Sequence, residues 1–265
     1  MPSPMLARPF PLVAGVATVT ARRLVTPRMA RFTLSAPAFA DLGVERPGEI
    51  LTLGWCDEGD ELALPQTGWR FPDGRPEQHW RNFTVRTYRP EAAEVDVDFF
   101  LHGDVGRASA WAARARPGDP VGYAGPRLHF VPEPAAAWTL LAADETGLPA
   151  LLAILETLPA GHRTIAIAEI HDDAERQPVE TAADVDLRWV TRDGRAPGTT
   201  TAIADAVAAL ELPDGPVQLW GGGEALAMRA VRETVRDAGA EIVAKDVIGY
   251  WKHRTTPDWD DIDDD

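Results

Sequence analysis

Two arginines stand five positions apart in the run Arg81-Asn82-Phe83-Thr84-Val85-Arg86. This run belongs to a stretch of β-branched and aromatic residues typical of a strand, so residues 81, 83 and 85 should face one side and 82, 84 and 86 the other. A guanidinium matches phosphate oxygens with a planar fork, while a ring and a hydroxyl can contact a flat heterocycle. The pattern suits a flat, phosphorylated cofactor, although the same residues also occur on the wet face of an ordinary antiparallel strand.

A second group of residues that could bind a ligand follows a strand that ends near Leu101-His102-Gly103. The segment Gly106-Arg107-Ala108-Ser109 begins a helix there, and the backbone N–H groups of a first helical turn form an anion site. We interpret His102 as a cofactor contact, with a structural histidine at a strand end as the alternative. Asp98, on the strand before it, fits a cofactor contact and a plain outward-facing strand residue equally well.

Length and composition indicate a globular protein of one large domain or two. The chain has 265 residues, of which 45% are hydrophobic and 25% are charged. No apolar run approaches the length of a membrane span. Prolines stand in the N-terminal segment where a signal peptide would have its apolar centre, so we expect no secretion signal and a cytoplasmic location.

Charge and cysteine content exclude several classes of partner and cofactor. The net charge of −15 argues against nucleic acid and anionic membrane as partners. Cys56 is the single cysteine, which excludes an internal disulfide, a cysteine zinc site and a self-contained iron–sulfur cluster. The histidines show no metal-ligand spacing, and we predict no metal site. Any redox chemistry should therefore use an organic cofactor.

The first half of the chain has the residue pattern of antiparallel β-structure. Six short strands separated by Pro/Gly turns predict a small barrel over residues 13–131. The predicted strands are Gly15–Val25, Arg28–Leu34, Glu49–Trp55, Asn82–Tyr88, Glu94–Leu101 and Pro120–Tyr123. The polar segment Asp57–Gln78 is predicted to be a surface loop.

The second half alternates strands and helices, which predicts a parallel sheet covered on both faces over residues 136–254. The predicted elements are strands Trp138–Ala143, Thr164–Ile170, Val185–Val190, Val217–Trp220 and Ile242–Ile248, with helices Leu148–Leu158, Thr201–Leu210 and Glu224–Ala238. We expect Gly221-Gly222-Gly223 to form a strand-to-helix turn. Residues 255–265 form an acidic tail, which we interpret as a solvated terminus.

An antiparallel barrel with this arginine motif, then a Gly-x-x-Ser helix start, then an α/β domain, resembles the ferredoxin-reductase-like flavoproteins. Within that superfamily the chain most resembles the siderophore-interacting protein family of FAD-dependent ferric-siderophore reductases. The resemblance is carried, in family order, by 81–86, by Asp98-Phe99-Phe100-Leu101-His102-Gly103 with Gly106-Arg107-Ala108-Ser109-Ala110-Trp111-Ala112, by Asp144-Glu145-Thr146-Gly147-Leu148-Pro149-Ala150, and by Gly249-Tyr250-Trp251-Lys252.

The resemblance implies an oxidoreductase in which FAD carries the electrons, so that no side chain is assigned a catalytic role. It implies that NADPH or NADH is the donor, with a ferredoxin as another candidate, that a ferric siderophore is the substrate, and that the protein is a monomer. The cofactor-binding residues that it implies are Arg81, Asn82, Phe83, Thr84, Val85, Arg86, Asp98, His102, Gly106, Ala108, Ser109, Thr146 and Trp251.

The chain departs from the related families at several positions, and two of these departures bear on the predicted cofactor sites. Phe83 stands where the siderophore family usually has tyrosine, so ring packing is retained but a hydroxyl is lost. Asp144-Glu145-Thr146-Gly147 stands where ferredoxin reductases have a glycine-rich turn, and we expect the two acids to repel a dinucleotide pyrophosphate. Thr146 is also explained as a helix N-cap.

The basic segment Lys252-His253-Arg254 follows the aromatic pair Tyr250-Trp251 and is a candidate site for an anionic ferric siderophore. A solvated C-terminal turn explains these charges equally well. Two other functions stay open at this point. One is a flavin reductase of the same fold with another acceptor, and the other is a siderophore-binding protein without turnover.

Overall fold

A computed structural model of the protein describes residues 13–44, 48–56, 62–64, 79–103, 106–128 and 130–253. The chain divides into two compact units, Pro2–His129 and Phe130–Asp265. This division lies within a few residues of the domain limits 13–131 and 136–254 that the sequence predicts. The predicted surface loop, apart from 62–64, and the acidic tail lie outside the described residues.

The first unit is a closed six-stranded antiparallel barrel, which confirms the predicted fold class of this half. Its strands are joined in the order β1-β2-β5-β4-β3-β6. Their bounds are β1 Val13–Thr26, β2 Met29–Ser35, β3 Ile50–Trp55, β4 His79–Arg89, β5 Glu94–Phe100 and β6 Pro120–Arg127, and helix α1 (Arg107–Arg114) follows β5. The closed barrel leaves no free strand edge.

Aromatic rings fill the part of the barrel core beneath α1. Trp111 of α1 stacks on Trp55 with ring centroids 5.5 Å apart and contacts Phe99 at 5.3 Å. Phe83 of β4 packs on Phe99 at 4.0 Å, and Phe32 completes the cluster. This packing fixes α1 and β4, the two elements to which the sequence assigns cofactor contacts.

The second unit is a five-stranded parallel sheet with helices, as the alternating pattern predicts. The strand order is β11-β10-β7-β8-β9. The elements are β7 Trp138–Ala143, α2 Leu148–Leu155, β8 Arg163–Ile170, β9 Asp184–Thr191, α3 Ala202–Ala208, β10 Val217–Glu224, α4 Ala225–Asp237 and β11 Ile242–Trp251. Within the described residues, no helix combines the length and the apolar character that crossing a membrane requires.

Two local predictions are wrong: one concerns where a strand ends, and the other concerns the alternation of faces within a strand. Gly221-Gly222-Gly223 continues strand β10 instead of forming a turn, because each glycine still pairs with β11. In β4 the strict alternation of faces ends at Arg86, where the register with β5 shifts between Val85 and Thr87. Arg86 is thus the extra residue of a β-bulge and does not share a regular face with Asn82 and Thr84.

Candidate functional site

Arg81 projects from the barrel surface near the start of β4. Its side chain is exposed, and one of its Nη atoms donates a hydrogen bond of 2.8 Å to the carbonyl oxygen of Trp80. No acidic partner of Arg81 is found among the described residues. An exposed guanidinium held by a single backbone carbonyl retains donors for an anionic ligand.

Thr84 presents a hydroxyl group from a buried side chain. The residue is 6% exposed and lies opposite Ile50 of β3. The described residues supply no hydrogen-bond partner for this hydroxyl, and its oxygen is not itself fully buried. A ligand that offers a hydrogen-bonding atom at this position would satisfy it.

Phe83 and Val85 face the barrel core, whereas their neighbour Arg86 is only partly buried at the bulge. Phe83 is itself partly exposed, so one side of its ring packs on the core and the rest is accessible. The structure therefore places Arg81, Phe83 and Thr84 within one short stretch of β4, with Val85 as a core residue.

Sequence reasoning missed Arg127, at the end of β6. Its Nη2 donates to the Oγ1 of Thr52 at 2.6 Å and to the Oδ1 of Asn82 at 2.7 Å, while the Thr52 hydroxyl also donates to the Asn82 oxygen at 2.7 Å. Asn82 thus holds a polar cluster across β3, β4 and β6. Only the Gly125-Pro126-Arg127 motif could have indicated this arginine, since β6 pairs with β3 and not directly with β4.

Asp98 is engaged by Arg31 of the neighbouring strand. The guanidinium Nε and Nη2 donate to the two carboxylate oxygens at 2.7 and 2.8 Å, and the Asp98 side chain is fully buried. A bidentate pair of this kind uses both oxygens of the carboxylate. The geometry favours the structural interpretation of Asp98, and its assignment to a cofactor stays a prediction.

The start of α1 has the form that the anion-site prediction requires. Ala110 N–H donates to Gly106 O at 2.8 Å, so the N–H groups of Arg107, Ala108 and Ser109 precede the helical ladder. The Ser109 hydroxyl accepts the N–H of His102 at 3.0 Å, which ties the helix start to the end of β5. A Cβ at Gly106 would overlap the His102 ring, which would have to move to admit it.

His102 lies over this turn with an exposed side chain, yet desolvation of its ring lowers the pKa below the ordinary histidine value. The ring contacts Phe100 at a centroid distance of 5.6 Å. A neutral imidazole beside the first turn of α1 can donate one hydrogen bond and accept another, but it adds no positive charge to the turn.

In the α/β unit, Asp144 and Glu145 are both engaged inside the protein. Asp144 Oδ1 accepts the backbone N–H and the hydroxyl of Thr146 at 2.7 and 2.6 Å, so the Thr146 side chain is used within the turn. Glu145 forms a buried ion pair with Arg192, which also lies 3.4 Å from Glu169. Both acids therefore have partners inside the protein, and their repulsion of a dinucleotide pyrophosphate stays a prediction.

Arg192 is a second residue that sequence reasoning missed. Its side chain is fully buried, and Glu169 is further held by the Thr200 hydroxyl at 2.6 Å. Glu145, Glu169 and Arg192 lie at the ends of the neighbouring strands β7, β8 and β9, which the strand order of the sheet brings together. Burial raises the pKa of Glu145 to about 7, against the opposing effect of Arg192, and burial also raises the pKa of Glu169.

The shifted pKa of Glu145 predicts how stability depends on pH. Because the folded state binds the proton more tightly than the unfolded chain, this residue lowers the free energy of unfolding as pH rises from about 4.5 to about 7. Urea unfolding across this pH range should show that Glu145→Gln removes part of the decline in the free energy of unfolding. Superimposable pH profiles for the two proteins would contradict the assignment.

Trp251, Lys252 and His253 follow one another at the end of β11. The Trp251 indole N–H donates to Asp144 Oδ2 at 2.8 Å, and the His253 N–H donates to Glu224 Oε1 at 3.2 Å. Lys252 and His253 are both partly exposed. Arg254, the third residue of the predicted basic site, lies outside the described residues.

No cluster of three or more His, Cys, Asp or Glu side chains suited to a metal ion occurs in the part of the chain that the structure describes. The candidate functional residues described above form two separate sets. One is the β4 and α1 surface of the barrel, and the other is the carboxyl edge of the parallel sheet.

Comparison with known families identifies both units. Residues 18–130 match the family model described as siderophore-interacting FAD-binding domain, and residues 136–254 match the model described as siderophore-interacting protein. The chain belongs to the siderophore-interacting protein family. A crystal structure of a siderophore utilization protein from T. fusca, a solved member at 34% sequence identity, superposes with a TM-score of 0.83 and covers 93% of this chain and 95% of that one.

Named relatives of this siderophore-interacting protein include two reductases. Ferric vibriobactin reductase ViuB of Vibrio cholerae is 30% identical over 203 residues, 74% of this chain and 69% of its own length. The NADPH-dependent ferric-chelate reductase of Escherichia coli is 30% identical over 165 residues, 61% of each chain. The chain spans 66% of the length of the Mycobacterium tuberculosis relative that it matches at 36% identity.

Proposed function

We propose that this protein is an FAD-dependent oxidoreductase that reduces Fe(III) held in a siderophore to Fe(II). The observation that carries the proposal is the surface of β4, where an exposed arginine precedes a buried threonine whose hydroxyl has no partner in the described residues. Its place in the siderophore-interacting FAD-binding family and the ferric reductases among its relatives support the same chemistry.

The residues of the barrel fit FAD. Arg81 offers a guanidinium to the diphosphate, and the first turn of α1 offers the N–H groups of Arg107, Ala108 and Ser109 to the same group. Helix α1 packs against β4 and β5, so the two anion-binding elements belong to one rigid part of the barrel. Thr84 would donate to the flavin ring, and the accessible side of Phe83 would pack against it.

Bound FAD would supply the conversion of a two-electron donor into single electrons for iron. The protein is then required to hold and orient the cofactor and to limit the access of water. Fe(II) is bound far more weakly than Fe(III) by hard oxygen donors, so reduction releases the metal from the siderophore. We assign no side chain to proton transfer, and the release of iron would take place in the cytoplasm.

Nicotinamide nucleotides are the proposed donors, with a ferredoxin as the alternative. A nicotinamide donor is supported by the E. coli relative that is named NADPH-dependent. Trp251 is retained as a proposed flavin contact. Its indole N–H is already used by Asp144, so only its ring face would serve a cofactor.

Replacing Thr84 by valine tests its assigned contact. Valine keeps the shape of the side chain, and no hydrogen bond within the described residues is lost, so folding stability should change little. If the hydroxyl donates to the flavin ring, Thr84→Val should shift the reduction potential of the bound flavin or slow its reduction. A spectroelectrochemical titration measures the potential. An unchanged potential and rate would leave Thr84 as an ordinary strand residue.

The substrate site is proposed at Lys252, His253 and Arg254. Many siderophores are anionic, and an acidic protein needs a local basic patch to receive one. The double change Lys252→Ala/Arg254→Ala should raise the KM for an anionic ferric chelate and flatten its dependence on salt, while a neutral hydroxamate chelate is reduced as before. Equal effects on both chelates, or none on either, would place the iron elsewhere.

Steady-state rates with different acceptors test the function itself. The purified protein should be yellow, and ferric chelates should be reduced faster than a quinone or free flavin. Faster reduction of those acceptors would favour a flavin reductase with another substrate. A colourless protein that binds a ferric siderophore without reducing it would favour a binding protein.

A further inference from the structure

The carboxyl edge of the parallel sheet contains two neighbouring strand-to-helix turns. Strand β7 leads into α2 through Asp144–Gly147, and β10 leads into α4 at Glu224. The two strands are paired, with Gly222 opposite Ala143, so the residues that follow them are adjacent. In parallel α/β sheets, turns of this kind bind the diphosphate of a dinucleotide through backbone N–H groups.

The Asp144 carboxylate occupies the donors that such a diphosphate would need. Oδ1 accepts the N–H and the hydroxyl of Thr146, as described above. Oδ2 accepts the N–H of Glu224 at 2.9 Å and the indole N–H of Trp251 at 2.8 Å. One side chain therefore takes four hydrogen bonds from both turns and from β11.

The Glu224 carboxylate likewise occupies backbone N–H donors at the start of α4. Its Oε2 accepts the N–H groups of Leu226 and Ala227 at 2.7 and 3.0 Å, and its Oε1 accepts the His253 N–H. The N–H groups of this first helical turn are the ones that would receive a phosphate. An internal carboxylate already stands there.

The backbone around these carboxylates is packed too closely to leave room for a second anion. A Cβ at Gly147 would overlap the carbonyl oxygen of Gly222. A Cβ at Gly223 would lie 2.9 Å from the carboxyl carbon of Asp144, so the Asp144 side chain fills the space over that glycine. Asp144 and Glu224 are 5% and 3% exposed.

We propose that Asp144 and Glu224 exclude the diphosphate of a nicotinamide dinucleotide from the carboxyl edge of this sheet, and so determine which electron donors the protein accepts. The carboxylates act by occupying the backbone donors, and long-range repulsion by the acids is secondary. Only the consequence for electron supply rests on the proposed function. The donor is then a nicotinamide nucleotide that binds weakly or an electron-carrier protein that does not need this edge.

Glu145 provides a matched control for the mechanism of exclusion. It is adjacent to Asp144 and, above pH 7, carries the same negative charge, but its ion-pair partner is the Arg192 side chain. If negative charge alone kept a diphosphate away, then removing the charge of Glu145 or of Asp144 would raise the affinity for a diphosphate equally. If occupancy of the backbone donors prevents binding, only the changes at Asp144 and Glu224 will raise this affinity.

The test is a calorimetric or NMR titration with ADP-ribose, which carries the diphosphate without the nicotinamide and needs neither flavin nor iron. Wild type should bind with a Kd of about 1 mM or weaker, at or beyond the upper end of the usual range of Michaelis constants. The double variant Asp144→Ser/Glu224→Ser should bind at least about tenfold more tightly, about 1.4 kcal/mol. Serine keeps a short acceptor at both turns and is a favourable helix N-cap.

Glu145→Gln should leave the affinity for ADP-ribose within about twofold of wild type, a difference of only about 0.4 kcal/mol. If the double variant does not fold, Glu224→Ser alone tests the proposal, with a smaller gain expected. Micromolar binding by wild type would overturn the proposal, as would an equal gain in Glu145→Gln or no gain in any folded serine variant. A protein without flavin would leave this titration unaffected, so the two proposals fail separately.

Discussion

Arg81→Ala should lose FAD far more readily than the wild-type protein. Arg81 is exposed, and within the described residues its side chain hydrogen-bonds one carbonyl oxygen, so its removal should leave folding stability within about 0.5 kcal/mol. Charge-assisted hydrogen bonds contribute about 1.5–3 kcal/mol each, so the affinity for FAD should fall by roughly tenfold to a hundredfold. Titration of the flavin-free protein with FAD, followed by flavin fluorescence, measures this directly.

Arg23→Ala is a suitable control for the loss of a positive charge. Arg23 is an exposed arginine on β1 of the same barrel, so its removal changes the net charge equally. Its FAD affinity should remain close to that of wild type. If Arg81→Ala retains unchanged affinity, or if Arg23→Ala weakens binding to the same extent, β4 is not the phosphate-binding element.

Gly147→Ala should severely destabilise the α/β unit. The backbone of Gly147 has φ −89° and ψ −15°, which alanine adopts without strain, so the effect comes from space alone. The new Cβ would overlap the carbonyl oxygen of Gly222, and backbone must move to admit it. Overpacking a close contact costs about 1–3 kcal/mol and occasionally more, and we expect a loss at or above the upper end. The midpoint of urea unfolding measures the loss.

Gly161→Ala separates this steric effect from backbone strain. Gly161 has φ +72°, and a Cβ there would have no atom within 4 Å. Alanine at this position should cost about 1–2 kcal/mol from the left-handed backbone alone. If Gly161→Ala is as destabilising as Gly147→Ala, the turn after β7 is not packed as tightly as described here.

The strand and helix pattern could be predicted from the sequence, because it depends on local periodicity. Strand β7 begins and ends at the predicted residues, and the barrel and the parallel sheet have the predicted fold. Errors arose where tertiary pairing overrides local signals. Gly221-Gly222-Gly223 has the composition of a turn, yet pairing with β11 keeps it in strand β10.

The candidate site could be predicted only in part, because the partners of charged residues lie far away in sequence. Arg31 engages Asp98 across 67 positions, and Arg192 engages Glu145 across 47. Sequence indicated two acids after β7, but it could not indicate that Asp144 turns inward to backbone donors. That orientation depends on the pairing of β7 with β10, which follows from strand order and not from any local motif.

The most direct test of the central proposal is a single-turnover experiment without oxygen. The flavin of the purified protein is reduced photochemically, which removes the question of the natural donor, and is then mixed rapidly with a ferric siderophore in the presence of an Fe(II) indicator. The account predicts that the oxidised flavin absorbance returns while two Fe(II) appear per flavin. A flavin that stays reduced, with no Fe(II) formed, would contradict it.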